Sequence, residues 1–228
     1  MKQKKDPVGQ IHSYLALRKA VGWVAILLPF VLMLGVRLIF RGDLTLYTIS
    51  MYYFTGMRDV FVGALCAIGL FLFFYHGYNR WDDWLGNIAG FCAFCIAWFP
   101  TSKVGHLSWT GKIHFIAAIV FFLALACFSL FLFTQKEADP TRRKLKRNRI
   151  HIACGIVMIV SLLAIMIYFS IFQEDYPKTS FVFWAETVAL VAFGISWLTK
   201  GGGIFADRRE ERGERREERG VGCVHEIG

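Results

Sequence analysis

The chain has 228 residues, of which 56% are hydrophobic and 22 are Phe, with a formal net charge of +9. A mean hydropathy of +0.46 excludes an ordinary soluble domain and defines a polytopic membrane protein. Its Lys and Arg residues stand in blocks beside apolar runs, a pattern of membrane orientation rather than of a nucleic-acid interface.

The N-terminal residues 1–20 are basic and lack the short apolar core and small-residue cleavage site of a signal peptide, so the first span is expected to be retained. Crossing about 30 Å of hydrocarbon takes about 20 residues at 1.5 Å each. Segments 21–40, 58–75, 84–99, 113–133, 149–172 and 181–199 meet or approach that length, which predicts an all-α, integral membrane bundle of six transmembrane helices. Pro29 lies inside the first, where a kink is expected because neighbouring groups in a bundle can satisfy the freed carbonyl. The third is the shortest. After Lys200 the composition changes abruptly: RREERG occurs at 208–213 and again at 215–220, the mark of a solvated low-complexity tail. The organisation is therefore a basic N-terminus (1–20), a membrane domain (21–200) and a charged tail (201–228).

Orientation follows from the basic residues. They crowd residues 2–19 and 136–149 on one side, whereas the other side carries only Arg37, Arg41, Arg58, Lys103, Lys112 and Lys178. The positive-inside rule places both termini in the cytoplasm and the protein in a cell inner (plasma) membrane. The run 142–149 should also attract anionic lipid headgroups at about 1 kcal/mol per residue near the surface.

Small residues mark the faces along which helices approach in lipid. Gly56, Gly63 and Ala67 predict that Asp59 faces the bundle. Ala117 and Ala118 predict the same for His114, and Ala189, Phe193 and Trp197 for Glu186. Gly86, Gly90, Ala93 and Ala97 mark the third span as a close-packed central helix. Among the cysteines, Cys92 and Cys95 spell CxxC inside an apolar helix, which reads as core packing. His151, among many cations, reads as interfacial.

Asp59, His114 and Glu186 each fall near the start of a span that begins outside, and His106 lies in the outer loop between the third and fourth spans. Ionisable groups at such depth are read as functional. One reading is a metal site. His106, His114 and Asp59 act as ligands, zinc being the fitting ion, and the carboxylates of Asp59 and Glu186 activate water. Arg58 orients an anionic group of a lipid or amphiphile undergoing hydrolysis. A second is a non-enzymatic ion-pair network, Arg58 pairing with Glu186, because buried charges are normally paired. A third is a proton or ion pathway, although no inverted repeat or matched pair of broken spans is present.

The segment ISMYYFTGMRDVFVG at 49–63, His106, the span opened by His114, and FVFWAETVALVAFGISWLTKG at 181–201 together resemble a family of uncharacterised multi-pass bacterial membrane proteins grouped under a domain of unknown function. That group is loosely similar to six-pass DRAM-like proteins, and more distantly to membrane hydrolases that use Ser, Asp and His around zinc. The resemblance covers 49–201 and implies the six-pass architecture. The paired HxxxH of those hydrolases is absent from this chain.

Overall fold

A computed structural model describes residues 7–43, 45–75, 80–102, 108–135, 142–171 and 179–202, the side chains of 7–14 excepted. These residues form six α-helices and no strand: α1 (Pro7–Ile39), α2 (Arg58–Phe73), α3 (Arg80–Trp98), α4 (Trp109–Cys127), α5 (Arg142–Ile171) and α6 (Phe181–Lys200). A 3-10 helix, Ile49–Phe54, precedes α2, and a π-helical segment, Phe128–Leu132, extends α4. The tail expected at 201–228 lies outside the described residues beyond Gly202.

Four helical stretches are long and apolar enough to cross a membrane: Leu15–Ile39, Trp109–Leu132, Arg142–Ile171 and Phe181–Lys200. Two of the expected spans fall short of that measure. Helix α2 has 16 residues, and α3 opens on Arg80, Asp82 and Asp83. The helices also extend past the apolar runs. Helix α5 begins at Arg142 rather than 149, because Arg and Lys are good helix formers and a helix need not stop where hydrocarbon ends. Helix α1 continues through a buried Pro29 without interruption.

Each helix packs against the next in the chain, and α1 closes the ring against α6. The contacts define two ends. At one, Met57 meets Gly35, His114 meets Phe99 and Glu186 meets Ile49. At the other, Tyr75, Phe128, Phe133 and Trp197 stack with ring centroids 5.0–5.6 Å apart. The first is the end predicted to face outward and the second the end predicted to face the cytoplasm, and they are named outer and inner after that expectation.

Helix α6, not α3, is central. In its membrane window 61% of residues are buried, against 33–39% in the other three candidate spans. Its interior position follows from Gly194: a Cβ there would lie 2.6 Å from the Gly22 carbonyl oxygen, so the α1 and α6 backbones touch. The small face of α3 is close-packed as expected, but against α2. A Cβ on Gly90 would lie 2.8 Å from the Gly69 carbonyl.

Candidate functional site

The loop before α2 is stitched to the first turns of α6. The Phe183 amide, which has no partner within its own helix, donates to the Tyr47 carbonyl at 2.9 Å. One turn on, the Glu186 carboxylate accepts from the Ile49 amide at 2.6 Å. Thr48 caps the 3-10 helix by accepting from the Met51 amide at 3.2 Å, and its hydroxyl also lies 3.0 Å from that of Ser50. Tyr52 is fully buried against Phe183. Burial pushes its phenol above the ordinary value, with a backbone hydrogen bond at Leu46 as the smaller opposing influence.

Opposite this loop, Ser108 caps α4 by accepting from the Gly111 amide at 3.0 Å. His114 follows in the next turn, buried, with Nδ1 2.8 Å from the Phe99 carbonyl. A carbonyl only accepts, so Nδ1 carries the proton, and in the neutral ring Nε2 is left as the acceptor.

Ser50, His114 and Glu186 line one partly open cavity of about 40 Å³ whose other walls include Leu28, Phe61, Ile96, Phe121 and Leu190. A site needs about 10–15 Å³ of such volume per water, so this one has room for a few waters or one small polar group. One Glu186 oxygen is engaged by Ile49. The cavity thus offers a carboxylate and an imidazole acceptor inside an apolar wall.

The other expected site residues do not join it. Asp59 is exposed, as is Gly63, beside which nothing lies within 4 Å. Of the small residues expected to turn Asp59 inward, Gly63 and Ala67 are exposed, and Gly56 packs against Phe40. The place of Asp59 in the first turn of α2 instead sets a carboxylate against the positive end of the helix dipole. Arg58 is exposed too. Its guanidinium donates to the Tyr53 hydroxyl at 2.7 Å and lies 4.4 Å from that ring's centroid, so it does not pair with Glu186. His106 lies outside the described residues. Among the described residues no three His, Cys, Asp or Glu side chains come together as a metal requires, and the zinc set expected from His106, His114 and Asp59 is not assembled by His114 and Asp59.

A second polar centre was missed in the sequence. His151 is not interfacial; it is 1% exposed, and its Nδ1 lies 2.9 Å from Ser196 Oγ, which in turn lies 2.8 Å from Ser129 Oγ. Ser129 sits in the π-helical segment, where an i→i+5 bond runs from the Phe133 amide to the Phe128 carbonyl at 2.9 Å. The signal available was the helical spacing of His151, Cys154 and Met158, all buried. Ser196 lies about 15 Å beyond Glu186 along α6 at 1.5 Å per residue, and Ala189, Leu190, Ala192 and Phe193 between them are buried. The two centres are thus separated by apolar core.

No family model, curated protein or solved structure matches the chain. The fold and the cavity carry the functional reading alone.

Proposed function

We propose that this is a six-span plasma-membrane protein with both termini in the cytoplasm, whose outer pocket binds the hydrogen-bond-donating group of an amphiphile, a hydroxyl or an ammonium. One observation carries the reading: Ser50, His114 and Glu186, distant in sequence, line one small cavity with apolar walls. Its two acceptors favour a donor, its volume favours a single small group, and the surrounding apolar side chains suit the attached chain. Cationic anchors at the opposite end of the bundle support the orientation.

A hydrolytic reading uses the same pocket. It is favoured by room for water beside an imidazole whose Nδ1 is fixed by Phe99, the arrangement in which Nε2 can take a proton from water attacking an ester or amide. In that reading His114 is the base and Glu186 holds the donor group of the substrate.

The test uses the full chain in nanodiscs with a long-chain amine, a long-chain alcohol and phosphatidylcholine as probes. Native mass spectrometry is expected to retain the amine or alcohol in preference to phosphatidylcholine, and Glu186→Gln to lose that preference at least tenfold while staying folded. Equal retention of all three, or an unchanged Glu186→Gln, overturns the binding reading. Release of fatty acid from ester or amide analogues, lost in His114→Gln, marks the hydrolytic one. Cysteines placed at Asp43, Ser108 and Thr179 are expected to label from outside intact cells, and those at Arg80, Gln135 and Arg142 only after permeabilisation; any other division overturns the six-span topology.

A further inference from the structure

The polar lining of the outer cavity comes from three elements: Ser50 from the 3-10 helix, His114 from α4 and Glu186 from α6. What each presents follows from the bond it has already made. Glu186 is half-buried, and its Oε2 accepts from the Ile49 amide at 2.6 Å, which leaves Oε1 for the cavity. His114 donates through Nδ1 to the Phe99 carbonyl at 2.8 Å, so Nε2 keeps a lone pair and no proton. The Ser50 hydroxyl lies 3.0 Å from Thr48 Oγ1, an oxygen that accepts from the Met51 amide and has a second lone pair to take the Ser50 proton. With that proton given, Ser50 Oγ also offers only lone pairs. The cavity thus holds three acceptors, one of them a carboxylate oxygen.

Three acceptors behind apolar walls define the guest by what it must supply. An enclosed acceptor left without a donor is costly, so the matching group brings the most N–H or O–H bonds in the least volume. A primary ammonium carries three N–H donors and a positive charge on one heavy atom. A hydroxyl carries one donor and no charge; a trimethylammonium carries the charge and no donor. A site built to hydrogen-bond its guest rejects an analogue lacking those bonds, because the site's own polar groups are then left unpaired.

We propose that the outer pocket is specific for a primary ammonium group on an apolar chain, with Glu186, His114 and Ser50 each accepting one of its three N–H bonds. This rests on the binding reading of the pocket and narrows it, since the hydroxyl becomes the weaker guest. A single-chain amine and phosphatidylethanolamine share the chemistry. Among the described residues that line the cavity none is Lys or Arg, so the phosphate of the second would lack a counter-charge there, which favours the first.

The full chain in phosphatidylcholine nanodiscs is offered dodecylamine, dodecanol, dodecyltrimethylammonium and phosphatidylethanolamine, and retained ligand is read by native mass spectrometry. Dodecylamine is expected to be retained at least tenfold better than dodecanol or dodecyltrimethylammonium. Phosphatidylethanolamine retained at the level of dodecylamine identifies a phospholipid guest, and dodecylamine alone a single-chain one; either supports the proposal. Ser50→Ala removes one acceptor and is expected to narrow the preference for amine over alcohol at least threefold. Glu186→Gln removes the charge and is expected to abolish that preference. Asp59→Asn, an exposed carboxylate at the same end but outside the cavity lining, is expected to change it less than twofold. Equal retention of dodecylamine and dodecanol, both above phosphatidylcholine, overturns the ammonium assignment and leaves the pocket reading standing. Equal retention of dodecyltrimethylammonium, or as large an effect from Asp59→Asn as from Glu186→Gln, also overturns it. If no probe exceeds phosphatidylcholine, the pocket reading fails and this proposal with it. Circular dichroism of each variant establishes that a lost preference is not a lost fold.

Discussion

Glu186 and Ile49 stand 137 residues apart in the chain, and the carboxylate of one accepts a 2.6 Å hydrogen bond from the amide of the other. That bond fixes the loop before α2 to α6 and sets one side of the outer cavity. Glu186→Ala leaves a buried amide without an acceptor and is expected to cost about 1–3 kcal/mol, whereas Glu186→Gln keeps an acceptor oxygen and is expected to cost under about 1 kcal/mol. Thermal unfolding in detergent micelles measures both. Equal losses in the two variants would show that the bond to Ile49 is not what Glu186 contributes.

His114→Ala removes the partner of the Phe99 carbonyl at the end of α3 and leaves a hole beside Phe121. A loss of about 1–3 kcal/mol is expected from the orphaned carbonyl. Hydrogen exchange should rise in the last turn of α3 and the first turns of α4, not at the inner end.

Asp59→Asn is expected to leave stability within about 0.5 kcal/mol of the parent chain, because the residue is exposed and contributes only through the dipole of α2. Amphiphile retention should not change. A large loss of retention would return Asp59 to the site.

Ser196 is the middle member of a buried chain, bonded to His151 on one side and Ser129 on the other. Ser196→Ala should therefore destabilise more than Ser129→Ala. In the double variant the two losses should fall short of additivity by about 0.5 kcal/mol or more, since both remove the same bond. Strict additivity in equilibrium unfolding counts against the chain as a unit.

Gly194→Val forces a side chain where a Cβ already lies 2.5 Å from Ile26 and 2.6 Å from the Gly22 carbonyl. Overpacking typically costs about 1–3 kcal/mol, and backbone contact on one side favours the upper end. Gly63→Val, beside open space, serves as the comparison and should cost far less.

Apolar run length made the helices legible, and four of them are long and apolar enough to cross a membrane. Small-residue spacing turned His114 and Glu186 toward the cavity they line and the face of α3 inward, where Gly86 and Gly90 meet the α2 backbone. The same rule failed at Asp59, where Gly63 and Ala67 are exposed and Gly63 faces open space. A small residue permits close approach without requiring it. His151 was misread for a related reason: neighbouring cations suggested a surface, whereas the helix turns Arg147, His151 and Cys154 inward together. Long-range pairs such as Glu186 with Ile49 had no local signature at all.

The contact between Gly22 and Gly194 joins the first helix of the ring to the last. A ribosome delivers these two segments at opposite ends of translation, so the Gly22 face of α1 stays uncovered until α6 arrives. Because α6 also brings Glu186, the outer cavity comes into being with that closure. A chain released before Phe181 would leave the Gly22 face of α1 without its partner and the cavity without Glu186.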